Sequence, residues 1–271
     1  MSDTISKKLS ILDLKKKKQN KEKIVCLTCY DYFSARLIDS CNIDLVLIGD
    51  SLGMVFGGYE NTLSVTVDEI IYHTRAVKNG IKAAFLVADM PFGSYQVTKG
   101  KAIKNAIKII KKGGAQAVKL EGGGYLSPVI KSMASMGINI IGHIGLMPQF
   151  VNKMGGYKIQ GKTDKSRDIL IDDAKRLEDA GIDMIVLEGI VEETAKTITE
   201  TLSIPTIGIG SGRFCDGQIL VFHDIFGLNT DYMPSFVKKY ANIGDKIVEA
   251  TKQYIQEVKS GEFPSEEYTF K

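Results

Sequence analysis

Short apolar runs, rich in β-branched residues and without polar alternation, recur at about residues 24–30, 43–50, 83–89, 115–121, 138–144, 182–188, 204–210 and 218–223. A strand covered on both faces in a parallel sheet has this pattern, whereas a half-exposed strand alternates. Between the runs, apolar positions repeat with helical spacing over about 32–41, 67–79, 99–112, 126–136, 167–180 and 191–202. Several of these stretches stop at a glycine such as Gly80, Gly113, Gly137 or Gly181. Eight strands alternating with helices predict an α/β fold, a (β/α)8 TIM barrel forming a single domain over residues 1–271. The segment SGRFCDG between the last two runs leaves no room for a helix, and a flavodoxin-like open sheet is the structural alternative. A basic helix or tail is expected over about 1–20, with a leading helix at 7–20 covering the N-terminal mouth of the barrel. One or two amphipathic helices at about 234–259 are expected to pack outside it.

Four of the runs end in an acid: Asp50 in IDLVLIGDS, Asp89 in AAFLVADMPF, Glu121 in AQAVKLEGG and Glu188 in IDMIVLEGI. In parallel barrels the C-terminal strand ends carry the chemistry. Carboxylates gathered at one rim repel one another unless a cation or a substrate needs them, so the pattern points to a metal-assisted active site. Helix N-capping is the alternative duty for Asp50, Asp89 and Glu188. Lys119 shares a strand face with Glu121, and a buried lysine there needs a partner, either that carboxylate or another at the rim. His143, in GHIGLMPQ, either touches ligand or is a hydrogen-bonded core residue. His73 falls in a helix and His223 in the last strand run, and neither is given a catalytic role. Loops 51–65 and 145–165 carry the pairs Gly57–Gly58 and Gly155–Gly156 and are candidate lids. The glycines of EGGG at 121–124 and IGIGSG at 207–212 raise a phosphate site as a minor reading, although neither fits a nucleotide-binding motif.

Composition narrows the class. The 271 residues are 44% hydrophobic, and 35 Lys plus Arg face 32 Asp plus Glu, so a net charge of +3 gives no reason to expect a nucleic-acid partner. The local exception, Lys15–Lys18, reads as a solvated helix face or as a tail for a phosphate-rich partner. No stretch reaches the ~18 apolar residues of a spanning helix, and the N-terminus is polar, so the expectation is a cytoplasmic enzyme of small molecules without a membrane partner. Cys26 and Cys29 form a CxxC inside a strand run without a second pair, and Cys41 and Cys215 are isolated; a zinc or redox role is not expected.

Ten ordered segments carry a resemblance: LTCYDYFSARLID (27–39), IGDSLGM (48–54), TVDEIIYHTRAV (66–77), ADMPFGSY (88–95), VKLEGG (118–123), GHIGLMPQ (142–149), GGYKIQG (155–161), VLEGI (186–190), IGIGSG (207–212) and DGQILVFHDIFG (216–227). Over roughly residues 20–268 the chain resembles the ketopantoate hydroxymethyltransferase family. The resemblance implies hydroxymethyl transfer from 5,10-methylenetetrahydrofolate to 3-methyl-2-oxobutanoate through a Mg2+-stabilised enolate, giving 2-dehydropantoate for pantothenate synthesis. It also implies Mg2+ at Asp50 and Asp89 with Glu121 close by, substrate contacts from Asp50, Ser51, Asp89, Lys119 and His143, and Glu188 as the base. A homo-oligomer, typically a decamer, is implied as well. Tyr157 and Phe56 are available for the flat ring of the folate. Gly189 departs from the bulkier residues common in the family. A lyase or mutase of the isocitrate lyase and phosphoenolpyruvate mutase group is the first rival, and the chain lacks a KKCGH-like loop; a non-enzymatic binding protein is the second.

Overall fold

A computed structural model describes residues 8–229 and 233–270. Residues 1–7, the start of the expected N-terminal segment, lie outside the described residues. Eight strands close into a parallel barrel in sequence order: β1 (Ile24–Thr28), β2 (Leu45–Ile48), β3 (Phe85–Asp89), β4 (Ala117–Glu121), β5 (Asn139–Gly145), β6 (Met184–Glu188), β7 (Thr206–Ile209) and β8 (Gly217–Leu220). β8 pairs back onto β1, which excludes the open sheet. The helices are α1 (Ile11–Gln19), α2 (Tyr32–Asp39), α3 (Leu52–Val55), α4 (Val67–Gly80), α5 (Lys99–Lys108), α6 (Ser127–Ala134), α7 (Val151–Met154), α8 (Asp164–Ala180), α9 (Glu192–Thr201), α10 (Phe222–Ile225) and α11 (Ile243–Ser260).

Local chemistry sets these boundaries. Ser10 and Asp13, Thr66 and Glu69, and Thr163 and Ser166 form reciprocal caps at the starts of α1, α4 and α8, each satisfying amides that would otherwise lack partners and contributing about 1 kcal/mol. Gly181 closes α8 at φ 101°, a backbone state that side chains resist. No helix intervenes between β7 and β8, as the shortness of SGRFCDG requires.

Alternate residues of the strands fill the barrel: Cys26, Leu45, Leu47, Phe85, Val87, Ala117, Ile141, Met184, Val186, Ile207 and Ile219 form one cluster with Ile11 and Leu14 of α1. α1 is therefore the plug of the N-terminal end. Its lysines hold it there. Lys15 pairs with Asp183 at 2.6 Å, Lys17 with Asp44 at 2.6 Å and Lys18 with Asp216 at 2.9 Å. The same three aspartates accept the backbone N–H of Ile140, Val25 and Thr206, so each lysine grips an acid already tied to the foot of a strand. Three of the four lysines of the basic run thus have intramolecular partners.

The chain forms two compact units, one through Leu220 and one over Val221–Lys271. In the second, α10 contains His223, which is helical and beyond the last strand, correcting its placement in a strand run. α11 is a single helix in the region expected to hold one or two. Among the described residues no helix is long and apolar enough to cross a membrane. Cys26, Cys29, Cys41 and Cys215 are free thiols.

Candidate active site

Six ionisable side chains meet at the C-terminal end of the barrel. Asp89 closes β3, Lys119 and Glu121 come from β4, His143 from β5 and Glu188 closes β6; Asp50 follows β2 across Gly49. Registered neighbours in a parallel sheet share a face, and Asp89 lies opposite Lys119 while Glu121 lies opposite His143. All but Glu188 are buried; its side chain keeps 19% exposure. A row of carboxylates in this setting requires nearby positive charge.

Two cations supply part of it. Lys119 Nζ lies 3.1 Å from Asp89 Oδ1 and 3.7 Å from Glu121 Oε1. His143 stands between two acids, with Nδ1 3.5 Å from Glu121 Oε1 and Nε2 3.3 Å from Glu188 Oε2. Burial and the Lys119 ammonium pull the His143 pKa down, but the two glutamates outweigh them and raise it to about 9. Lys119 Nζ approaches Nδ1 to 3.2 Å, donating to the ring when it is neutral and facing it as a like charge when it is protonated. Burial likewise opposes the Lys119 charge, and Asp89, Glu121 and Asp50 more than restore it. Glu121 is penalised by burial yet held below the ordinary carboxylate range by His143 and Lys119.

Asp50 is the exception. Burial, then Asp89 and Glu121, push its pKa well above the usual value, and no cation pairs with it. Its Oδ2 accepts from Gln149 Nε2 at 2.8 Å. Asp89 is also raised, chiefly by burial; its Oδ2 accepts the Asp50 N–H at 2.9 Å, while the buried Oδ1 has no hydrogen-bond partner despite the nearby Lys119. The four carboxylates of the site outnumber its two cationic side chains, an excess that a bound divalent cation would offset. Among the described residues no three His, Cys, Asp or Glu groups form a ready-made metal cage. A small hard cation needs only one or two carboxylates, with waters and ligand oxygens completing its shell, and Asp50 and Asp89 meet that requirement.

The capping duties do not apply. Asp50 and Asp89 each engage one side-chain oxygen with Gln149 and with the Asp50 amide, and α9 has Val191 as its N-cap and no side-chain cap, leaving Glu188 to His143. The Ser51 hydroxyl shares a 2.8 Å hydrogen bond with the Tyr30 hydroxyl, and His73 Nδ1 contacts the Tyr30 carbonyl at 2.7 Å, a structural use of that histidine. In the glycine runs an added side chain would meet the Asp173 carboxylate at Gly123, the Arg176 guanidinium at Gly124 and Glu192 at Gly212, and Glu192 is paired with Arg213 at 2.9 Å. The two candidate lids meet where the Tyr157 hydroxyl reaches Met54 Sδ at 3.9 Å. The Tyr157 and Phe56 rings are 56% and 58% exposed.

Gln149 and Tyr95 are buried members of this site that the sequence did not mark. Tyr95 donates toward Gln149 Oε1 at 2.8 Å and the Glu121 carbonyl at 2.9 Å, and accepts the Glu121 N–H at 3.1 Å. Both residues lie inside the quoted segments ADMPFGSY and GHIGLMPQ, which was the available signal.

Fold and site together define a barrel enzyme whose acids and paired cations gather at the C-terminal rim. A model of the family described as ketopantoate hydroxymethyltransferase matches residues 8–266, and the chain belongs to that family. It is similar to proteins named 3-methyl-2-oxobutanoate hydroxymethyltransferase from Geobacter metallireducens, 53% identical across 98% of this chain and 100% of the relative, and from Clostridium beijerinckii, 52% identical across 97% and 96%. Among solved structures, phosphonopyruvate hydrolase in complex with oxalate and Mg2+ superposes with a TM-score of 0.62 at 10% identity, over 95% of this chain and 92% of that one. 2,3-Dimethylmalate lyase, a member of the PEP mutase/isocitrate lyase superfamily, gives 0.58 at 16% identity over 96% and 91%. These two likenesses are of fold.

Proposed function

We propose that this chain transfers a hydroxymethyl group from 5,10-methylenetetrahydrofolate to C3 of 3-methyl-2-oxobutanoate, giving 2-dehydropantoate and tetrahydrofolate on the route to pantothenate. The observation that carries the reading is the convergence of Glu188, His143, Lys119 and the Asp50–Asp89 pair at one rim, in a chain of this family. Asp50 and Asp89 would hold Mg2+, with Glu121 behind them, braced by His143 and Lys119. A magnesium ion there supplies positive charge to the 2-oxo group, which makes the neighbouring C3 proton acidic.

The remaining steps belong to the protein's side chains. Lys119 and Ser51 bind the substrate carboxylate, and Tyr30 orients the Ser51 hydroxyl. Glu188, partly exposed and open to the ligand, removes the C3 proton. His143 Nε2, 3.3 Å from Glu188 Oε2, holds that carboxylate in place. Water adds to the methylene carbon of the folate as its bonds to N5 and N10 break, releasing tetrahydrofolate and a one-carbon unit at the formaldehyde level; the nucleophilic C3 attacks that carbon, and the new alkoxide takes back the proton held by Glu188. The loops over 51–65 and 145–165 exclude bulk water, and Tyr157 and Phe56 offer faces for the folate ring. The reading includes a cytoplasmic homo-oligomer, on the strength of the family.

Proton NMR of 3-methyl-2-oxobutanoate in D2O tests this. Enzyme with Mg2+ is expected to exchange the C3 proton, EDTA to stop the exchange, and added 5,10-methylenetetrahydrofolate to yield 2-dehydropantoate. Glu188→Gln is expected to retain substrate binding while exchange slows at least a hundredfold. Unchanged exchange in that variant would move the base elsewhere, and neither exchange nor product from folded wild-type protein would overturn the reaction.

A further inference from the structure

The three carboxylates closest to the proposed metal share one arrangement: each has an oxygen engaged by an N–H donor. Asp50 Oδ2 takes the Gln149 side-chain amide at 2.8 Å, Glu121 Oε2 takes the Gln149 backbone N–H at 3.0 Å, and Asp89 Oδ2 takes the Asp50 N–H at 2.9 Å. Two of the three donors come from one residue, at the root of the loop after β5. The second oxygen of Glu121 faces Lys119 and His143. Asp50 keeps its Oδ1 for a ligand, while Asp89 Oδ1 faces the Lys119 ammonium at 3.1 Å.

Gln149 is well suited to enforce this. It is 3% exposed, and its amide is saturated: Nε2 donates to Asp50 Oδ2 and to the Met90 carbonyl at 3.0 Å, while Oε1 accepts from Tyr95 at 2.8 Å and from Gln96 Nε2 at 3.2 Å. The partners fix the orientation, because a flipped amide would set its oxygen against a carboxylate and a carbonyl. A fully connected buried network of this kind resists rotation of any member. Asp50 therefore cannot swing to offer both oxygens to one ion.

We infer that Gln149 is a positioning residue that restricts Asp50 to one-oxygen ligation and thereby makes the site favour a small octahedral cation over a larger one. The inference rests on the magnesium reading above. Mg2+ takes six ligands at about 2.0–2.1 Å, while Ca2+ takes six to eight at about 2.3–2.6 Å and readily uses both oxygens of a carboxylate. Freed from Gln149, Asp50 can become bidentate, which helps the larger ion and not the smaller.

The test is calorimetric titration of Mg2+ and of Ca2+ into metal-free protein holding 3-methyl-2-oxobutanoate, for wild type, Gln149→Met and Tyr95→Phe. Methionine preserves volume and removes both ends of the amide; phenylalanine releases only the Oε1 anchor. Changes to groups behind a metal's ligands typically alter affinity by about 10–100-fold. The expected result is a preference for Mg2+ in the wild type that falls at least tenfold in Gln149→Met and by less in Tyr95→Phe. A preference within twofold of wild type in a folded Gln149→Met protein overturns the inference and leaves the magnesium reading standing. Should that variant not fold, an unchanged preference in Tyr95→Phe overturns it instead. Wild-type protein that binds neither ion overturns the magnesium reading, and the inference with it.

Discussion

His143 shows how far neighbours move a single group. Burial alone would leave a neutral ring, yet a glutamate at each nitrogen holds the proton up to about pH 9. A folded pKa raised above the ordinary ~6.5 of histidine contributes stability that is complete below about pH 6.5 and is lost as pH rises through about 9. In EDTA, urea unfolding of the wild type is expected to lose on the order of 2 kcal/mol between pH 6.5 and 9.5 relative to His143→Gln. Parallel pH dependence in the two proteins would remove the imidazolium. The acids of this cluster were legible because an acid ending an apolar run is conspicuous. Gln149 and Tyr95 were not, because a neutral polar residue in a loop looks the same whether it faces solvent or braces a carboxylate; only the closed barrel brings Gln149 against Asp50.

At the scale of elements, the β5–β6 junction decides whether His143 and Glu188 meet. Gly145, the last residue of β5, has φ 99°, and a Cβ there would collide with the Glu188 carbonyl oxygen. That carbonyl already accepts the Leu146 N–H at 2.7 Å, which draws the two strand ends together. Gly145→Ala must therefore both strain the backbone and push β5 from β6. A stability loss of about 2–4 kcal/mol is expected, with a fall in turnover that exceeds the loss of folded protein because the His143–Glu188 pair opens. Thermal unfolding and turnover per folded molecule check both parts, and turnover matching wild type would show that the pair tolerates the shift. Periodicity located the elements well because β2 to β6 are buried almost throughout, while β1 and β8, which alternate buried and exposed residues, are still apolar enough to stand out, and the longer helices have one wet side. It could not find the short α3 and α7 inside the two loops, whose four-residue turns are below any helical repeat.

On the scale of the whole barrel, the two ends are separate assignments. The C-terminal rim holds the proposed chemistry, whereas the N-terminal end is sealed by α1, whose Leu14 is fully buried in the cluster that fills the barrel. The lysines of α1 read as a solvated face in the sequence since their partners Asp44, Asp183 and Asp216 are distant in the chain and adjacent only once the strands close. Those ion pairs keep 9–32% side-chain exposure, enough contact with water to hold each to about 1 kcal/mol, so the apolar plug dominates. Leu14→Ala should then cost about 2–5 kcal/mol, the transfer loss plus the cavity, far more than Lys17→Ala. Because the plug lies at the opposite end from Glu188, the folded fraction of Leu14→Ala is expected to keep wild-type kcat and KM. Denaturant midpoints alongside steady-state kinetics separate the two effects. A drop in kcat per folded molecule would mean that strain at the barrel floor reaches the rim, through the shared interior layer of Val87, Ala117 and Ile141 that lies beneath Asp89, Lys119 and His143.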